Sequence, residues 1–539
     1  MQMTETETGK LKKDLIEIVG ERWVSNDIET LSNYGRDMTE NEPVNPDFVV
    51  LPSSAEDVQK IVHLANEKEI PVIPYVAGAN VGGLTIPSSK GGITIDMKRM
   101  NKLIEVNKKD KYIVVEPGFT FGHLRRLLDT DLPGFRYTFP FAPPFTSILT
   151  NALLHGLGSL GVLYGSADNF INGIEVVLPT GELVNIGNHA VNRGTHWYGR
   201  APLPDICGLF IGWQGSTGIV TKISIQLTDK PKYMEHYALL PEDPFDFLEN
   251  GVHELVNLHV CDEIGMGYFP AKVGKGIVPD YMLGLMASMM NYLRFKKKTK
   301  FVKRMWPFIK LLSFGKPFNL VQKLAPMLKM GEPEEGEDQA WLINGITITG
   351  NTKAEFKAKY SAFKKFCDKS KNPLLMLPTE DFGDLKSVFM SILDLPTQLP
   401  ALYDLKAAGG LTWVGSYVPA SMVHHGLKKG EEIHKKNKFF PVVVLRPMKH
   451  DHYFVLRFIL SFDRLDAEET KRARSTLQEL ATVILDDCKG VPYKPAGWAW
   501  DMIKERADPE FLALVDRIKK FIDPKGIMNI SRFNFDRLY

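Results

Sequence analysis

The sequence predicts an α+β protein of two domains, and three observations carry that expectation. Short β-rich runs alternate with helical stretches from about residue 48 to 232. From about 235 to 490 longer helices mix with strands, and a tail, 491–539, ends in a helical stretch followed by IDPKGIMNISRFNF. The chain of 539 residues exceeds one ordinary domain, and 44% hydrophobic with 24% charged residues supply a large core.

In the first region FVVLP, SSAEDVQKIVHLANEKE and PVIPYV read as strand, capped helix and strand. Ser53 or Ser54 is the expected N-cap, with Glu56 and Asp57 favourable in the first turn. GITIDM, YIVVEPG, GIEVVLP, ELVNIG and IVTKISIQL are further strands, several separated by glycine or proline.

Composition excludes several functions. A formal charge of +2 leaves no global nucleic-acid footprint. The four cysteines, Cys207, Cys261, Cys367 and Cys488, are widely spaced without a CxxC pair. That speaks against a disulfide framework, a zinc ribbon or an iron–sulfur cluster, and no metal site is expected. The first twenty residues lack an apolar h-region, and no run of about 18 apolar residues occurs, so the expectation is a soluble cytoplasmic protein.

PVIPYVAGANVGGLTIP (Pro71–Pro87) places Gly78, Gly82 and Gly83, with the small Ala77 and Ala79, directly after a predicted strand. Glycines permit positive φ and close backbone approach, so successive N–H groups can converge on an anion such as a dinucleotide phosphate. The loop is neither a Walker A loop nor a GxGxxG fingerprint, and a plain turn is the competing reading.

The loop does not stand alone. VEPGFTFGHLRRLL (Val115–Leu128), FPFAPPFTSILTNALLHGLGSLGVLYGSADNFINGIEVVLPTGELV (Phe139–Val184), GLFIGWQGSTGIVTKISIQL (Gly208–Leu227) and the late DPKGIMN follow it in order. This series resembles the vanillyl-alcohol oxidase/p-cresol methylhydroxylase superfamily of FAD enzymes, most fully over residues 45–232. The resemblance implies a two-domain PCMH-type FAD-binding fold with an antiparallel-sheet cap, or substrate, domain. Its divisions would be 1–235 for FAD, 236–490 for substrate, and 491–539 returning to the FAD domain. Ala77, Gly78, Ala79, Asn80, Val81, Gly82 and Gly83 would cradle the pyrophosphate. Ser147, Asn151, His155, Gly156, Gly158 and Gly161 would run beside the ribityl chain and isoalloxazine, and Ile219 near the adenine. For Ser147 and Asn151 the competing reading is local turn capping.

FILSFDRLDAEETKRARSTLQEL followed by Tyr493–Lys494 resembles the stretch before the Tyr-Arg pair of the phenol-oxidising branch. Lys494 keeps the charge and loses the guanidinium fork. Arg532 falls where the family places a cation near the flavin's pyrimidine edge, which would stabilise charge developing on the ring. Ala142 occupies the position of the vanillyl-alcohol oxidase acid, and Thr412 that of its flavin-linking histidine. No tyrosine follows Asn80. FAD held without a covalent bond and a substrate other than a 4-hydroxybenzylic alcohol are therefore implied.

In MKHDHYF, His450 and His452 alternate, so on a strand both point to one face, as a base for a substrate hydroxyl or as packed or partly exposed histidines. His155 is a second candidate base. Tyr281–Gly331 carries eleven Lys or Arg and no acid, interleaved with apolar residues. A membrane surface, a redox protein partner or a merely solvated face all suit that pattern, and peripheral association with the inner face of the membrane is one expectation. The expected function is FAD-dependent oxidation of an alcohol or 2-hydroxy acid by hydride transfer, with electrons passed to a carrier or quinone. An oxidase using dioxygen and a flavin-bearing electron-transfer subunit are the alternatives, and the family's habit implies a homodimer.

Overall fold

A computed structural model describes residues 4–79, 82–87, 91–270, 340–370, 374–378, 409–439, 441–530 and 532–533. Asn80, Val81 and the basic stretch 281–331 lie outside the described residues.

The predicted strand–helix–strand opening is present. Strands β1 (Val24–Ser25), β2 (Phe48–Val50), β3 (Val72–Tyr75) and β4 (Ile93–Asp96) form a sheet in the order β1-β2-β4-β3, with β2 and β3 both parallel to β4. The crossover helix Ala55–Lys68 starts at Ser54, whose hydroxyl accepts from the Asp57 N–H. Its buried Ala55, Val58, Ile61, Val62 and Ala65 recur at helical spacing, and that stripe packs on the sheet.

Next come β5 (Leu103–Asn107), β6 (Tyr112–Val115), a short β7 (Phe135–Arg136), β8 (Ile171–Val177), β9 (Leu183–Gly187), β10 (Ile219–Gln226) and a short β11 (Thr228–Asp229). Five of them make an antiparallel sheet, β5-β6-β10-β8-β9. All seven residues of β8 are buried, which explains why GIEVVLP reads as a continuous apolar run rather than an alternation.

The remaining strands are β12 (Tyr233–Pro241), β13 (Cys261–Pro270), β14 (Ala340–Gly350), β15 (Leu374–Pro378), β16 (Gly410–Pro419), β17 (Val442–Met448), β18 (Tyr453–Phe462) and β19 (Val491–Pro492). They form one eight-stranded sheet in the order β15-β12-β14-β13-β17-β18-β16-β19, antiparallel throughout. Helices Val423–Lys436 and Ala467–Thr482 cover one face, where Leu427, Leu477 and Leu480 meet Phe454, Leu456, Phe458 and Leu460 of β18. The odd-numbered side chains of β18 therefore turn to the other face.

After helix Pro509–Ile522 the tail runs back to β3: Val72 N–H donates to Ile527 O and Asn529 N–H to Val72 O, at 2.9 and 2.8 Å. Buried Lys519 closes this return, donating through Nζ to Asp523 and to the carbonyls of Ser216 and Met528.

One expected element is corrected. His450 and His452 do not alternate on a strand, because β17 ends at Met448 and β18 begins at Tyr453. Lys449, His450 and Asp451 between them have φ of 47°, 55° and 67° and reverse the chain in a tight turn. Both histidines are exposed there. The turn is pinned by His450 N–H to Val162 O at 2.6 Å.

Candidate flavin and substrate site

The glycine loop opens onto a cleft with three walls. One wall is Pro74–Ala79 with Leu84 and Thr85. The second wall is helix Ile148–Leu153, through Leu149, Thr150 and Leu153. The third is Gln214–Gly215 with Gly218, Ile219 and Val220, where β10 begins.

The loop's small residues keep its wall close to the backbone for a local reason. Gly78 has φ +63°, and a Cβ there would run into the Tyr75 hydroxyl. At Gly215 (φ +74°) a Cβ would meet Pro74 Cγ at 2.5 Å. A cleft with glycines at the loop and an apolar far wall suits a dinucleotide: anionic pyrophosphate on the loop, flat rings against Leu149, Leu153 and Ile219.

The residues expected along the flavin fall into two groups. Ala77, Gly78, Ala79 and Ile219 line the cleft. Ser147 is fully buried and engaged within the chain, as the capping alternative has it: its hydroxyl donates to Pro117 O at 2.5 Å and accepts from Thr150 N–H as the helix N-cap. The Asn151 side chain fills the space that a Cβ on Gly156 would need, and Gly156 N–H donates to Asn151 O at 2.8 Å. His155 has φ 50° and holds Nδ1 3.1 Å from Asp168 Oδ1. Gly158 presents its carbonyl to Arg446, and a Cβ on Gly161 would meet Met448 Sδ at 2.9 Å. The His155–Gly161 stretch does not line the cleft itself; it lies against β17.

Tyr493, Lys494 and Arg532 converge on the loop's far end. Arg532, 7% exposed, donates to the carbonyls of Gly83 and Gly82. The Lys494 carbonyl oxygen lies 3.1 Å from where a Gly82 Cβ would stand. Tyr493 and Lys494 line a second, smaller cavity with Glu40, Thr412, Trp413, Gly415 and Trp498.

Two arginines that sequence reasoning missed act on Tyr493. Arg446 on β17 and Arg457 on β18 stand on the sheet face away from the helices. Arg457 Nε donates to Tyr493 Oη at 2.8 Å, its Nη2 donates to the same oxygen, and its guanidinium lies 4.6 Å over the Trp413 ring. Tyr417 stacks on Tyr493 at 5.2 Å. An arginine inside each of the apolar runs VVVLRPM and YFVLRFILSF was the available signal, since such a charge is kept only with a partner.

Burial dominates the electrostatics. It pushes Tyr493 above its ordinary phenol range, opposed by the cations Arg457 and Arg446. Burial first, then Arg457, brings the Lys494 amine down to about 7. Arg446 is lowered to about 10 by burial, with Glu263 opposing, and burial raises Glu263 and Glu40. The fold thus gathers cations around one phenol and keeps the nearby carboxylates deep and hard to ionise.

Comparison with known proteins agrees with this geometry. The FAD binding domain family matches residues 46–187. D-lactate dehydrogenase [cytochrome] of Arabidopsis thaliana is 32% identical over 189 residues, 35% of this chain and 31% of that protein. The flavoprotein subunit of 4-cresol dehydrogenase [hydroxylating] from Pseudomonas putida is 28% identical over 254 residues, 46% of this chain and 48% of that one. These alignments span only a third to a half of the curated relatives' length. The solved structure of p-cresol methylhydroxylase with substrate bound superposes with a TM-score of 0.79 at 21% identity, over 98% of this chain and 97% of that chain. For 4-ethylphenol oxidase from Gulosibacter chungangensis the values are 0.79, 19%, 100% and 99%. Residues 46–187 thus carry a FAD binding domain, and along its length the chain has the fold of those two enzymes.

Proposed function

We propose that the protein oxidises the carbinol carbon of a small hydroxy compound, a 2-hydroxy acid before a phenol, and passes the electrons to a carrier. The observation that carries this reading is the Tyr493–Lys494–Arg457 cluster, a buried phenol among cations at the end of the glycine loop. Bound FAD supplies the hydride acceptor. Lys494 holds a substrate carboxylate as a point charge, without the fork that suits planar bidentate recognition. Tyr493 Oη, fixed by two Arg457 N–H groups and kept protonated by burial, donates its own proton as a hydrogen bond to the substrate oxygen and orients the carbinol carbon toward the flavin, the hydroxyl proton leaving to water. The exposed His450 and His452 have no part in this scheme.

The three divisions are 1–235 for the cofactor, 236–490 for the substrate and 491–539 for closing the loop through Arg532. Relatives support both substrate classes: D-lactate dehydrogenase and glycolate oxidase on one side, 4-cresol dehydrogenase on the other. The place for the carrier, a redox protein or an anionic membrane surface, is the acid-free stretch 281–331. Among the described residues no helix is long and apolar enough to cross a membrane.

Anaerobic mixing of holoenzyme with D-lactate, glycolate, D-2-hydroxyglutarate or 4-cresol tests the reading. A hydroxy acid should bleach the oxidised flavin band, and Tyr493→Phe should slow the bleaching on the order of a hundredfold. Bleaching by 4-cresol alone overturns the substrate class. No bleaching by any hydroxy compound, with reduction by a redox protein, makes this an electron-transfer subunit.

The cofactor is proposed to be non-covalent. Thr412, 1% exposed, stands at the position of the family's linking histidine and offers only a buried hydroxyl, hydrogen-bonded to Glu40. Acid precipitation should release the yellow colour to the supernatant; colour in the pellet overturns this assignment.

A further inference from the structure

The far end of the phosphate loop is held by a carboxylate distant in sequence. Asp37 Oδ2 accepts the Gly83 N–H at 3.0 Å, while Asp37 Oδ1 accepts the N–H and hydroxyl of Thr39 at 2.9 and 2.5 Å. Asn41 Nδ2 donates to Thr39 Oγ1 at 2.7 Å and stands 2.9 Å from where a Gly83 Cβ would lie. Arg532 holds the Gly83 carbonyl from the other side. Both backbone polar groups of Gly83 are therefore engaged within the chain, at φ +64°.

The segment bearing Asp37 is itself pinned to the eight-stranded sheet and its helices. Leu411 N–H donates to Met38 O at 2.9 Å, Arg474 Nη2 to Glu40 O at 3.0 Å, and Trp498 Nε1 to the Glu40 carboxylate at 3.2 Å. Residues 37–40 thus join the loop that meets the cofactor to the wall of the Tyr493 cavity.

We propose that Asp37 is a positioning residue for the cofactor loop: it fixes the loop's far end through Gly83, so less of the loop is left to order when the pyrophosphate binds. Gly83 donates to this carboxylate and leaves phosphate binding to upstream positions such as Ala77, Gly78 and Ala79, which line the cleft. Preorganisation of this kind raises affinity by lowering the ordering cost of binding. A charge-assisted bond to a carboxylate is a strong way to hold one N–H.

FAD titration of the stripped protein, with the flavin-to-protein ratio of freshly purified enzyme as a second readout, tests the proposal. Asp37→Ala should raise the FAD Kd at least tenfold. Asp37→Asn, which keeps an oxygen for the Gly83 N–H, should recover most of that loss. Thr39→Val, which removes one donor to Asp37, should raise Kd threefold or more while the melting temperature of the FAD-free protein stays within a few degrees of wild type. An Asp37→Ala Kd within twofold of wild type overturns the proposal. If Asp37→Ala does not fold, an unchanged Kd in Thr39→Val overturns it equally. A Kd rise in Thr39→Val matched by a large fall in FAD-free melting temperature assigns the segment to folding alone and also overturns it.

Discussion

Gly78→Ala should yield protein that purifies almost without FAD. The backbone there has φ +63°, a region that costs a residue with a Cβ about 1–2 kcal/mol. The added methyl also meets the Tyr75 ring, with Cζ 2.8 Å away as well as the hydroxyl. That ring cannot easily swing aside: it packs at 4.7 Å on Tyr34, whose hydroxyl donates to buried Asp96 at 2.6 Å and accepts from Lys98 at 3.0 Å. Relieving such overpacking costs a further ~1–3 kcal/mol. The sum, roughly 2–5 kcal/mol, corresponds to a loss of affinity of about thirtyfold to several thousandfold if it falls on cofactor binding. Gly208→Ala is the matched control, because nothing lies within 4 Å of its Cβ and its φ is ordinary. The flavin-to-protein absorbance ratio after gel filtration checks the pair. Full occupancy in Gly78→Ala would show that the loop adapts and is no preformed cradle.

The tight turn at Gly78 was legible in the sequence because its constraint is local. A glycine needing positive φ and clearance from a residue three positions earlier leaves its mark within one turn. The strands were legible for a similar reason: YIVVEPG, GIEVVLP and IVTKISIQL are β-branched runs bounded by glycine or proline, and each is a strand. The histidine pair was not legible. Lys449–Asp451 turn in the left-handed region without glycine or proline, so nothing in KHDH distinguishes a hairpin from a strand. Arg457 and Asp37 fall outside sequence reading for another reason. Their partners, Tyr493 and Gly83, lie 36 and 46 residues away, and only the folded sheet and the returning tail bring them together. Periodicity reports which face a residue takes, not which distant group waits there.

The second large effect expected is a pH dependence belonging to Lys494. Its amine, brought down to about 7 by burial and by Arg457, is cationic below that value and neutral above it. If the cation holds the substrate's negative charge, kcat/KM falls as pH rises, and two units above the pKa leave about one protein in a hundred charged. From pH 6 to pH 9 the loss should approach a hundredfold. Tyr493, pushed above its ordinary range, and Arg446, at about 10, hold their states through that interval. Lys494→Arg should flatten the profile, since a guanidinium stays charged, whereas Lys494→Met should be flat and low throughout. Stability moves in the opposite sense. The folded chain has lost a proton that the unfolded chain keeps up to 10.5, so the fold gains stability as pH rises between about 7 and 10.5. Comparing wild type with Lys494→Met isolates that contribution: the wild-type melting temperature should gain on the variant's between pH 7 and 9 while its activity falls. A profile that does not change with pH in the wild type, or one that persists in Lys494→Arg, would move the titrating group elsewhere and remove Lys494 from the substrate's side.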